Sequence, residues 1–342
     1  MKPSAVKAEF LLPRLQSISE SGIFSNRGPQ VVELESRLAK WLDVRESHLV
    51  VTSNATVALT VAAALSPSMS WDVPAWSFPA TALAPLLIGK DVTFVDIDPD
   101  TWLVVDERSD SSTGLMNVIP FGGSLDQSAW AYPGELLIDA AASLATRPSG
   151  LKTLPGSAAV IFSLHATKTM GGAEGGVVVF GSEERAALAR AWINFGFSGS
   201  RESIHIGTNG KMSEYDAAVA NARLDGWPEE SQEWETIRQL AVQASEEMNL
   251  QKTPDSMVSV NPYWIALFET SEQKKSAADA LNTAGVETRL WWAEGLHKMP
   301  AFQSLPRQSL KVVDDFASRY LGLPFHLSLS TSQFSKVADV IR

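Results

Sequence analysis

Lys168 follows a short apolar run, Ala158-Ala159-Val160-Ile161-Phe162, and closes the segment Ser163-Leu164-His165-Ala166-Thr167-Lys168. The glycine-rich stretch Gly171-Gly172-Ala173-Glu174-Gly175-Gly176 comes next. This order sets a lysine at the end of a buried strand, in a tight loop through which backbone can approach closely. An amine in such surroundings loses solvation and becomes nucleophilic at neutral pH, the property that Schiff-base chemistry requires. Asp139 closes a second apolar run, Leu136-Leu137-Ile138. An amine for the aldehyde and a carboxylate for the ring nitrogen are the two groups that pyridoxal phosphate most needs from a protein. Each residue also has an ordinary reading. Lysines are mostly solvated surface groups, and Asp139 would serve as N-cap of a helix over Ala140-Ala141-Ala142-Ser143-Leu144.

Two further segments supply what such a cofactor would touch. Thr52-Ser53-Asn54-Ala55-Thr56-Val57-Ala58-Leu59 leaves a strand and opens a helix. The unpaired N–H groups of a helix start, with hydroxyls beside them, suit a phosphate; the same residue types also make an ordinary N-cap. In Val73-Pro74-Ala75-Trp76-Ser77-Phe78-Pro79-Ala80-Thr81, two aromatics sit in a loop after a strand. They present a flat face to a ring or else pack in the core.

The elements that must position these groups are legible as short apolar runs. Strands are expected at His48–Thr52, Ser70–Val73, Val92–Asp96, Met116–Pro120, Glu135–Asp139, Ala158–Ser163 and Gly176–Phe180. Most are apolar throughout, the mark of a largely parallel sheet buried on both faces and covered by helices. Val31–Leu42 carries apolar residues at helical spacing, and Ala55–Leu65 is apolar almost all round, as a buried helix would be. The texture changes near Leu224. A long charged helix over Asp225–Asn249 is followed by a strand over Val258–Phe268, a helix over Glu272–Ala284, a strand over Val286–Trp292, and helices over Lys311–Leu321 and Ser332–Ile341. Residues 1–225 therefore read as a large cofactor-binding domain and 226–342 as a small α+β domain.

Composition narrows the class. The 342 residues are 45% hydrophobic and 20% charged, ordinary for a globular protein. A formal net charge of −11 speaks against nonspecific nucleic-acid binding. There are no cysteines, only 5 histidines and no zinc-type ligand spacing, so neither disulfides nor a metal is expected. No run is long enough to span a membrane, and the first ten residues lack a signal-peptide core; a cytoplasmic enzyme is expected. No Gly-x-Gly-x-x-Gly follows an expected strand, which excludes a nicotinamide dehydrogenase of the usual kind.

Taken in order, the motifs resemble those of the DegT/DnrJ/EryC1/StrS group of pyridoxal-phosphate enzymes, the nucleotide-sugar aminotransferases. The markers are Ser25-Asn26-Arg27-Gly28-Pro29, the Ser53–Leu59 turn, Pro74–Ala84, Phe94-Val95-Asp96-Ile97-Asp98-Pro99, Asp139-Ala140-Ala141, Ser163–Lys168, Glu174-Gly175-Gly176 and Asn209-Gly210-Lys211-Met212-Ser213-Glu214. The resemblance runs from about Ile23 to the C-terminus. It implies the fold of type I pyridoxal-phosphate transferases, like aspartate aminotransferase: a large domain with a mostly parallel seven-stranded sheet and a small α+β C-terminal domain. It implies Lys168 as the residue that carries the cofactor, Asp139 as partner of the pyridine nitrogen, and His165 as a third catalytic residue. Phe78 matches the ring that stacks on the cofactor, with Trp76 beside it. Ala55, Thr56 and Ser163 match phosphate contacts, and Asn209 a contact from the neighbouring subunit of a homodimer with shared sites. Arg27, Trp76, Lys211, Arg289, Trp292 and His297 are the substrate candidates. The implied reaction takes nitrogen from an amino acid, L-glutamate, to a keto group on a nucleotide-linked sugar, through the pyridoxamine form.

The chain departs from the family pattern in places. Ala142 stands where glutamine is usual, Ala166 for proline, Ala55 for glycine and Lys211 for arginine. Pro120-Phe121-Gly122-Gly123 occupies the place of a longer, histidine-containing stretch. These changes bear on the sugar more than on the chemistry. Two other readings remain at this point. A dehydratase on the same scaffold would carry histidine in place of Lys168. A cofactor-binding regulator without turnover would keep the same binding residues.

Overall fold

The computed structural model describes residues 3–104, 112–123, 132–251, 253 and 260–342. The apolar runs form one sheet: β1 (Leu49–Thr52), β2 (Ser70–Pro74), β3 (Asp91–Val95), β4 (Gly114–Val118), β5 (Leu136–Asp139), β6 (Ala158–Ser163) and β7 (Gly176–Phe180). All seven expected strands are present, with bounds shifted by two residues at most. The order is β1-β7-β6-β5-β4-β2-β3. β7 runs antiparallel to both β1 and β6, and the other pairings are parallel. The strands lack alternation because both faces are covered. On one face Leu49, Val51, Leu115, Ile138, Val160 and Val177 join one core cluster; on the other Val50, Val73, Met116, Leu137, Ile161 and Val178 join a second.

After an N-terminal helix α1 (Ala8–Ser21), the helices over the sheet are α2 (Pro29–Trp41), α3 (Ala55–Leu65), α4 (Pro79–Leu86) and α5 (Glu183–Trp192). α3 buries Ala58 through Ala63, which explains its apolar circumference. The long helix α6 (Glu214–Glu247) starts eleven residues before its expected position. The charged texture that begins near 225 marks where α6 becomes solvent-facing. Its first turns, with Ala217, Ala218, Ala220 and Ala222, are buried. Residue 225, the expected domain boundary, lies inside this helix.

Beyond α6 come α7 (Ser271–Thr283), α8 (Lys311–Arg319) and α9 (Thr331–Ile341) with a two-stranded antiparallel sheet, β8 (Trp264–Leu267) and β9 (Tyr320–Leu323). Of the strand expected over Val258–Phe268, Val258 and Ser259 lie outside the described residues. The expected helix over Lys311–Leu321 stops at Arg319 because Tyr320–Leu323 pairs with β8. The strand expected over Val286–Trp292 is a correction: only Arg289 makes a bridge, to Gly322, and the chain then turns. A strand would send Trp291 and Trp292 to opposite faces, whereas both line one cavity. Among the described residues no helix is long and apolar enough to cross a membrane.

Candidate active site

β5 and β6 are parallel neighbours, with Asp139 opposite Ile161, so the segments leaving their carboxyl ends emerge side by side. Ligands of open α/β sheets settle at such ends. A cavity of about 530 Å³ opens there, lined by Asn54, Ala55 and Thr56 at one end, Asp139, Ser163 and Lys168 at its floor, and Phe121, Tyr263, Trp291 and Trp292 on the small-domain side.

Asp139 is 5% exposed. No helix follows it, so the N-cap reading does not apply; its Oδ1 instead accepts the Ala141 N–H at 3.1 Å. Oδ2 accepts the Thr81 hydroxyl at 2.7 Å, and Thr81 Oγ1 lies 2.6 Å from Ser77 Oγ. Burial pushes the Asp139 carboxyl above its ordinary range, against the hydrogen bonds from Thr81 and Ala141 and the nearby Lys168 charge, which favour ionisation. A buried carboxylate facing a cavity suits a cationic N–H partner.

Lys168 closes a tight turn in which its N–H donates to the His165 carbonyl and its own carbonyl accepts from Gly171 N, both at 2.9 Å. The glycines after it let the loop approach itself: a methyl on Gly171 would overlap the carbonyl oxygens of His165 and Lys168. Lys168 Nζ donates to Tyr263 Oη at 2.9 Å. His165 lines the same cavity, its Nδ1 2.8 Å from Thr167 Oγ1 and its Nε2 3.6 Å from Glu174.

At the other end, Asn54 caps α3, its side chain accepting the Val57 N–H at 2.9 Å. Ala55 and Thr56, the first residues of α3, line the cavity together with Ser163, and a helix start with a hydroxyl beside it suits an anion. Phe78 lines the cavity with 59% of its surface exposed. The residues present fit pyridoxal phosphate: a helix start for phosphate, an exposed ring for stacking, a buried acid for the pyridine nitrogen and an amine for the aldehyde. Among the described residues no group of three metal-ligating side chains occurs.

The substrate candidates divide. Arg289 and Trp292 line the cavity. Trp76 does not: it is 1% exposed and packs edge-on against Trp292 at 5.1 Å and Tyr320 at 4.6 Å, supporting the wall from behind. His297 is likewise removed, 4% exposed with Nε2 3.2 Å from Asp314, and burial lowers its pKa. Arg27 pairs with the buried Glu35 and lines a separate groove with Lys211. Asn209 is exposed and outside the cavity of its own chain. Sequence reasoning assigned no role to Thr81 or Tyr263. Thr81 stood inside a quoted motif, but a threonine near a helix start carries no mark of its distant acid. Tyr263 sat within an expected strand, and nothing local ties it to Lys168, 95 residues away.

The model of the DegT/DnrJ/EryC1/StrS aminotransferase family matches residues 6–342. The protein Rv3402c of Mycobacterium tuberculosis is 26% identical over 100% of this chain and 89% of its own length. The dTDP-4-amino-4,6-dideoxy-D-glucose transaminase of Shigella dysenteriae is 31% identical over 66% of this chain and 64% of its own. Among solved structures, DesI in the presence of its TDP-sugar product superposes with a TM-score of 0.84 at 29% identity, covering 99% of this chain and 90% of that one.

Proposed function

The chain belongs to the DegT/DnrJ/EryC1/StrS aminotransferase family of pyridoxal-phosphate enzymes, and from that premise we propose that it moves an amino group from L-glutamate to a keto group of a nucleotide-linked sugar. The observation that carries this reading is the meeting of Lys168 and Asp139 in one cavity, from the carboxyl ends of adjacent parallel strands. Relatives named for dTDP-sugar transamination and for a TDP-sugar product support the substrate class.

Pyridoxal phosphate, when bound, supplies an electron sink for the carbon that loses a proton. Asp139 would pair with its ring nitrogen and favour the protonated form of that nitrogen. Lys168 would hold the cofactor through its Nζ, and as a free amine that atom would carry a proton as base and then as acid. The α3 start and Ser163 would hold the cofactor's phosphate, and Phe78 would lie against its ring. Trp291, Trp292 and Phe121 form a dry wall on the substrate side, and Arg289 supplies a cation suited to a diphosphate. Lys168 speaks against the dehydratase reading, in which histidine takes its place.

A homodimer is part of this proposal. Asn209 lies outside its own cavity, free to reach a neighbour's. Ile206, in the same loop, is 92% exposed, and Phe24, Phe195 and Ile204 are exposed as well, apolar surface that a second copy would cover.

The test is to load the protein with pyridoxamine phosphate and offer a panel of keto-sugar nucleotides. Return of the visible band of the aldehyde form, with an amino sugar as product, is the expected outcome. No conversion with any sugar, and no band shift with glutamate or another amino acid, would leave the regulator reading in its place.

A further inference from the structure

Tyr263 reaches Lys168 from a different part of the chain, and its surroundings fix it there. The segment Asn261-Pro262-Tyr263 enters β8. The Tyr263 N–H donates to the side chain of Asn261 at 2.9 Å, and Asn261 is itself 3% exposed. The phenol ring stands edge-on to Trp291 at 5.2 Å and to Phe121 at 5.4 Å. Its hydroxyl accepts from Lys168 Nζ at 2.9 Å, and the amine lies 5.5 Å from the ring centre. A backbone turn and two aromatic walls thus hold one oxygen in place beside a lysine, whose long flexible stem has no such rigidity of its own.

We propose that Tyr263 is a positioning residue for Lys168: its hydroxyl holds the free amine at the cavity floor, both before the cofactor is captured and after the donor has displaced the lysine. The inference rests on the proposed role of Lys168. In the transfer step the free Nζ must collect a proton from one carbon and deliver it to another, and an amine that swings away loses that geometry; small misplacements of a reacting group cost large factors in rate. The phenol gains and loses no electrons and ends each cycle as it began. Because Tyr263 enters the small sheet while Lys168 leaves the large one, the bond also ties the lysine to the wall formed by Trp291 and Phe121.

The experiment compares the wild-type protein with Tyr263→Phe, which keeps the ring and its edge-on contacts and removes only the oxygen. Cofactor-free protein is mixed with pyridoxal phosphate, capture is followed by visible absorbance, and borohydride reduction with peptide mass analysis locates the label. The expected result is label on Lys168 in both proteins, with capture in the variant slower by about fivefold or more. The thermal midpoint is unchanged, and kcat falls about tenfold or more with KM for both substrates within about twofold, the pattern of a lost interaction that does not serve substrate binding. Capture and kcat within about twofold of wild type would overturn the inference and leave the Lys168 reading standing. A loss that follows a fall in thermal midpoint would also overturn it, since Tyr263 would then be a packing residue. Failure of the wild-type protein to take label at Lys168 would remove both.

Discussion

Thr81 donates its hydroxyl proton to Asp139 Oδ2 at 2.7 Å, joining the first turns of α4 to the end of β5 across fifty-eight residues of chain. The bond favours the ionised acid at a place where burial opposes it. Thr81→Val removes the donor and keeps the shape. Hydrogen bonds to charged groups contribute roughly 1.5–3 kcal/mol. Retention of pyridoxal phosphate near neutral pH is therefore expected to weaken by about tenfold or more, and the acid limb of the pH–rate profile to move upward, because the Asp139 carboxyl is pushed higher still. Equilibrium dialysis and a pH series of kcat check the two effects.

Asp139 itself sets stability against function. Its folded-state pKa is raised by burial above the ordinary 3.8. The cofactor-free folded state thus holds its proton more tightly than the unfolded chain does. The resulting cost is absent below the ordinary value, grows as pH rises from there toward the raised value, and is constant above it. Asp139→Asn removes the charge. Cofactor-free Asp139→Asn should unfold at a higher temperature than the wild type at pH 8, by roughly 1–2 °C for each kcal/mol relieved. The gap should narrow toward pH 4, while turnover falls by at least about a hundredfold. Scanning calorimetry at several pH values, beside an activity assay, decides it.

Phe78 presents a ring that is 59% exposed at the cavity rim. So little of it is buried that Phe78→Ala should leave the thermal midpoint of the cofactor-free protein nearly unchanged. Loss of the stacking face should weaken cofactor retention by roughly 0.5–1.5 kcal/mol, the value of an aromatic pair beyond its area. A titration of the cofactor-free variant with pyridoxal phosphate measures it; unchanged affinity would show that the ring does not cover the cofactor.

Gly171 is packed against its own loop, with no room for a methyl beside the His165 and Lys168 carbonyl oxygens. Gly171→Ala must displace the turn that carries Lys168, at about 1–3 kcal/mol of stability, the range for overpacked sites. Borohydride labelling of Lys168 should slow even in molecules that remain folded. Gly156, with nothing near its missing side chain, is the control: Gly156→Ala should label like the wild type.

Much of this was legible along the chain. The strands could be read because a parallel sheet covered on both faces needs uninterrupted apolar runs, and Val160-Ile161-Phe162 and Val177-Val178-Val179 are such runs, rich in β-branched residues. The lysine, the acid, the helix start and the aromatic Phe78 each follow such a run, and in a largely parallel sheet the ends of such runs share one edge; the strand order that sets them side by side came only from the structure. The small domain was harder. Trp291-Trp292 read as strand because tryptophan favours pleated surfaces, yet Ala293 at φ 51° and Gly295 at φ 95° turn the chain and deliver both rings to one cavity.

What the sequence determined by itself was the set of groups and the strand ends that present them, because hydrophobic periodicity and turn residues act locally. Which aromatic faces the cavity and which supports it from behind, as Trp292 and Trp76 divide the task, was decided by packing between distant elements. So were the attachment of Thr81 to Asp139 and of Tyr263 to Lys168. These are contacts between segments tens of residues apart. Their geometry comes from how the covered sheet and the small domain close on one another, and no local pattern encodes that.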